Sequence, residues 1–173
     1  PADSPVDTFV HTGLSQPALS GDGLNLAYRS DATSAEGVPG WAAGTVEGGP
    51  ATAQVFIWDI DQPDPFRAVE LISRRPDGTP SSGAGEPDVS RKGMDVAFTS
   101  DDPLLVEATY PKCTDGCPTQ VFVADRDDND DGQIGPDETT TLMLASARNA
   151  TEPAVAGIGP SSQPAISSDG QLV

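Results

Sequence analysis

The chain has 173 residues, with 36% apolar residues and a formal charge of −18. Two Lys and seven Arg, scattered along the chain, exclude nucleic acid as a partner, because phosphate binding needs clustered cations. They also disfavour an anionic membrane surface, and no apolar run reaches the 18 or so residues needed to span a bilayer.

Gly (18) and Pro (17) are dense. They break helices and supply turns, and the apolar residues fall in short runs bounded by turn residues. That pattern predicts an all-β chain. The first run along the chain is Thr8-Phe9-Val10, read as the last strand of a preceding unit, so that residues 1–14 end a blade or form a linker.

Three later segments align: Ser15 to Asp31, Gly85 to Asp101 and Ser162 to Val173. They share the frame Pro, any, aliphatic, Ser, any, any, Gly: Pro17-Leu19-Ser20-Gly23, Pro87-Val89-Ser90-Gly93 and Pro164-Ile166-Ser167-Gly170. In the first two an alternating strand follows, Leu24, Leu26 and Tyr28 against Met94, Val96 and Phe98. The three prolines are expected to begin equivalent strands, with Leu19, Val89 and Ile166 facing the core. A second element repeats in between: Gln54 to Asp59 matches Gln120 to Asp125. Each is followed by an apolar strand ending in Ser73 or Ser146.

One repeat therefore reads as four antiparallel strands, the content of a propeller blade. The units predicted are 15–84, 85–161 and the opening of a third at 162–173. Two and a third blades do not close a ring, and the chain starts without Met, so a fragment of a larger propeller is expected.

Cys113 and Cys117 enclose Thr-Asp-Gly, a turn sequence. A disulfide would pinch a small loop and imply an oxidising compartment. Free thiols, or half of a zinc site, are the competing readings; the sole histidine, His11, lies far off in sequence.

The most specific motif is 127–138, DDNDDGQIGPDE, which fits D-x-[DN]-x-[DN]-G-x5-E in full. Calcium takes six to eight oxygen ligands. Asp127, Asn129 and Asp131 alternate, so a coiled loop can aim them at one point. Gly132 permits the sharp turn, Gln133 offers its carbonyl, and Glu138 closes the shell with both oxygens. The alternative is a solvated acidic loop, although seven carboxylates against one Arg between 125 and 138 repel one another without a cation. The flanks read as strands, so a clamp is expected here and not a sensor switch.

The motifs QPALSGDGLNLAYRSDA and QVFIWDI resemble the WD-like repeats of TolB-type β-propellers. Arg91-Lys92-Gly93 departs from the pattern by lacking the turn Asp. The resemblance implies a binding platform, often for protein partners at the bacterial cell envelope. No G-x-S-x-G elbow is present and no catalytic residue is assigned. The expected function is a non-catalytic, extracytoplasmic, calcium-binding scaffold; the alternative is the propeller domain of a larger peptidase-type hydrolase.

Overall fold

The computed structural model describes residues 14–31, 52–63, 68–111, 113, 116–135, 138–149 and 153–173. Thr8-Phe9-Val10, expected to be a strand, and His11 lie outside them. Among the described residues all regular structure is β-strand, and no helix is long and apolar enough to cross a membrane.

β1 (Ser15–Leu19), β2 (Asn25–Ser30), β3 (Gln54–Asp59) and β4 (Val69–Leu71) form one antiparallel sheet in chain order. β5 (Ala84–Val89) and β6 (Asp95–Ser100) begin a second. After the short β7 (Ala108–Thr109), β8 (Gln120–Asp125) and β9 (Thr141–Leu144) complete it, again antiparallel and in order. β10 (Ala154–Val155) pairs in parallel with β7. The chain is thus all-β, built on four-stranded antiparallel sheets of propeller-blade type.

The Ser-x-x-Gly frame has a physical cause in the turn between the first two strands of each sheet. The Ser20 hydroxyl accepts from the Asn25 amide at 2.9 Å, and Ser90 and Ser167 repeat this with Asp95 and Leu172, each at 3.0 Å. Gly23, Gly93 and Gly170 each donate back to that serine's carbonyl, with φ of 79°, 74° and 75°. This is the left-handed region that favours glycine. In two copies an aspartate accepts from the serine hydroxyl, Asp22 at 2.7 Å and Asp169 at 2.6 Å. Those bonds hold both carboxyls below the usual range.

A second repeated device closes the third and fourth strands. Gln54 is buried, and its Oε1 accepts from Ser73 Oγ at 2.7 Å, while Ser73 Oγ accepts from the Val55 amide at 2.9 Å. Gln120 and Ser146 repeat it at 2.8 and 3.0 Å with the Val121 amide. A buried amide with its partners in place keeps the desolvation cost of a polar core low.

The two sheets stack through a single core. From the first come Ala27, Val55 and Ile57, and from the second Val89, Val96, Phe98, Phe122, Ala124 and Leu144. Phe98 and Phe122 stack with ring centroids 5.7 Å apart, and both are fully buried. Each contributes about 1.5–3 kcal/mol by burial. Tyr28 and Phe56 repeat this pair on the opposite face of the first sheet, also at 5.7 Å.

That difference of face corrects one expectation. Val89 is 8% exposed, but Leu19 is 60% exposed and Ile166 only half-buried. Leu19 is opposite Leu26, and Val89 opposite Val96. The Val89 face is covered by the first sheet. The Leu19 face points away from that interface, and no described sheet covers it.

Successive repeats are also linked edge to edge. Gln16 Oε1 accepts from the Glu86 amide, and Glu86 Oε2 accepts from the Gln163 amide, both at 2.8 Å. All three residues have φ between 50° and 54°, and in the first two strands they sit at a register break beside the proline. A bulge is where a strand tolerates proline. Asp22 donates its amide to Arg91 O and Arg91 to Ser168 O, each at 3.0 Å. Residues 162–173 thus repeat the turn and its contacts, although no strand is assigned there.

Candidate metal centre

The acidic loop joins β8 to β9. Both strands are fixed in the sheet, with Asp125 opposite Thr141 at its root. Asp125 Oδ1 accepts from the Asp127 amide at 3.0 Å, which turns the chain out of the strand. Asp127 is itself buried. Its Oδ1 accepts from the Asp131 amide at 3.1 Å and its Oδ2 from the Gly132 amide at 2.8 Å. Asp130 (φ 57°) and Gly132 (φ 81°) take left-handed conformations to close the coil.

One carboxylate oxygen each from Asp127, Asp131 and Glu138 lies within 4.8 Å of the others. Glu138 comes from the far end of the loop and receives the Gly135 amide on Oε2. Asn129 is tied to this trio: its Nδ2 donates to Glu138 Oε1 at 3.1 Å and its Oδ1 accepts from the Asp131 amide at 2.8 Å. Gln133 donates its amide to Asp131 Oδ1 at 2.9 Å, and its side chain is exposed. All the side-chain donors that converge are hard oxygens, a set that suits calcium or magnesium over softer metals. Pro136 and Asp137 lie outside the described residues.

The surroundings hold residues that motif spacing did not single out. Lys92, where the turn pattern has aspartate in the other two copies, reaches the Gly132 carbonyl at 3.5 Å. The departure from the pattern thus sets a cation beside the acidic loop. Arg126 is buried; its Nη1 donates to Gly93 O at 2.6 Å and its Nε to Glu70 Oε2 at 2.9 Å. Glu70 belongs to β4 of the other sheet and also accepts from Thr140 Oγ1. A charged residue inside the apolar run Ala68 to Ile72 was the one sequence signal for it. Asp95 is half-buried, and burial, with Asp125, Asp127 and Asp130 nearby, pushes its carboxyl above the usual range against the pull of a hydrogen bond from Ser90.

The cysteine pair forms a disulfide, Cys113–Cys117, with Cα atoms 4.3 Å apart. It lies in the segment between β7 and β8, and the enclosed Thr114 and Asp115 are outside the described residues.

No family model matches the chain, and no curated protein matches it. Ten solved chains match in structure. One is the crystal structure of TolB from Acinetobacter baumannii, 13% identical with a TM-score of 0.37. The match covers 76% of this chain and 21% of that one, so the chain spans about a fifth of that protein's length.

Proposed function

We propose that this chain is a non-catalytic, extracytoplasmic β-propeller segment whose 127–138 loop binds calcium and acts as a structural clamp on a binding scaffold. The observation that carries the reading is the convergence of Asp127, Asp131 and Glu138, with one oxygen each within 4.8 Å of the others, from both ends of a loop rooted in paired strands. Asn129 and the Gln133 carbonyl complete the proposed ligand set. In this reading the blade units are 15–84 and 85–161, with 162–173 opening a third. The repeated serine turns and glutamine–serine pairs support that division.

Millimolar extracellular calcium suits such a loop, whose expected Kd is about 10⁻⁴ to 10⁻³ M or tighter. The disulfide supports an oxidising compartment. The platform's partner is read as a protein. Calorimetric titration of the chain with calcium tests the reading: saturable heat is expected, lost on Glu138→Ala, which removes two oxygens of the shell. The absence of binding heat at millimolar calcium contradicts it.

A further inference from the structure

We infer that Glu70, on the neighbouring sheet and outside the loop, is the positioning residue for the 127–138 loop: it holds both of the loop's roots, and calcium affinity depends on it although it is no ligand. The inference rests on the calcium reading.

Glu70 lies opposite Ile57 in the β3–β4 pairing, on the face of the first sheet that meets the second. Each of its two oxygens meets one root, and Oε1 also lies 3.8 Å from Arg74 Nη2 on its own strand's side. Oε2 accepts from Arg126 Nε at 2.9 Å, one residue before the loop, and Oε1 accepts from Thr140 Oγ1, two residues after it. These contacts join positions 56 and 70 residues apart in sequence. The Arg126 guanidinium is fixed from its other side by Gly93 O at 2.6 Å, and its backbone amide donates to Met94 O at 2.8 Å.

Two effects follow for an ion. First, a loop whose ends are already held loses less conformational freedom when a cation orders it, so affinity rises without a new ligand. Second, Arg126 adjoins Asp127. A guanidinium released from Glu70 has neighbouring carboxylates of the loop to pair with, and would compete with calcium for them. Glu70 therefore keeps the buried Arg126 guanidinium away from the proposed ligands.

The test compares the parent chain with Glu70→Ala, Glu70→Gln and Thr140→Val. Calcium is titrated by calorimetry, and hydrogen exchange at the Asp131 and Gly132 amides is followed in chelator. The Glu70→Ala chain should bind calcium about tenfold more weakly, the scale of one lost charge-assisted hydrogen bond, and exchange those amides faster. Glu70→Gln keeps an acceptor for Thr140 and should lose less. Thr140→Val frees only the exit root, gives a smaller loss still, and guards against misfolding of the alanine variant. Folded variants with parental affinity and parental exchange overturn the inference and leave the calcium reading standing. A parent chain that takes up no calcium overturns both, and that result is read before any substitution is made.

Discussion

Asn25 and Asp95 occupy the same position in successive sheets, and Asn25 donates a hydrogen bond there that Asp95 cannot donate while ionised. Asn25 Nδ2 reaches Lys92 O in the next repeat's turn at 3.1 Å. Asp95 meets the corresponding turn so closely that a Cβ on Gly170 would lie 2.0 Å from its Oδ2. An ionised carboxylate offers that turn no proton, and three other aspartates repel it.

Asp95→Asn is therefore expected to stabilise the chain near neutral pH, by about 0.5–1.5 kcal/mol if the Asn25-type bond forms. The raised carboxyl gives the dependence its sign. The folded parent holds this proton more tightly than the unfolded chain does, so this group's contribution is fullest at low pH and is lost as pH rises through the folded value. Asparagine does not titrate, so the variant's advantage opens as pH rises and closes in acid. Thermal melts in chelator across pH 3 to 8 measure it; an advantage that grows towards acid contradicts the account.

The turn glycines should differ in cost despite sharing a motif. At Gly23 nothing lies within 4 Å of an added Cβ, so Gly23→Ala pays the left-handed backbone alone, about 1–2 kcal/mol. At Gly93 the Cβ would lie 2.4 Å from Asn25 Cγ. Gly93→Ala adds overpacking against the first sheet, another 1–3 kcal/mol or about that. Equal losses in denaturant melts would show that the second turn does not dock on the first sheet.

Gln54→Met keeps the volume but strips the acceptor from Ser73 and Ser81, which donate to Gln54 Oε1 at 2.7 and 2.9 Å. A loss of about 1–3 kcal/mol is expected from the groups left unsatisfied. An unchanged urea midpoint would contradict it.

The serine turn was legible in the sequence because its cause is local. A hydroxyl, an amide five residues on and a left-handed glycine leave the same imprint in three copies. The strands were legible from the same repetition, and so was the recurrence of Gln54 with Ser73 and Gln120 with Ser146, but not their pairing, which spans 19 and 26 residues. What lay across the interface was not. Leu19 and Val89 are identical in pattern, and which is covered depends on the side from which the neighbouring sheet arrives. Glu70 looked like one charge in an apolar strand, and its partners are 56 and 70 residues away. The loop's acidic residues stood out by their spacing, and the structure brings Asp127, Asp131 and Glu138 together, whereas the buried Arg126 beside them was visible only as a lone cation.

Opening the Cys113–Cys117 bond by the double Ser variant should cost about 2 kcal/mol at most, because the bond closes a very short loop. Calcium binding should survive it. Loss of binding would mean that the segment between β7 and β8 supports the loop.

The most direct measurement is the melting temperature of the parent chain in saturating calcium and in chelator. A ligand bound only by the folded state stabilises it by RT ln(1 + [L]/Kd), about 1.4 kcal/mol at ten times Kd. The account predicts a melting temperature that rises with calcium, a much smaller response to magnesium, which demands tight octahedral geometry, and no response to calcium in Glu138→Ala. Superimposable melts of the parent in millimolar calcium and in chelator would contradict it, and would leave 127–138 a solvated acidic hairpin.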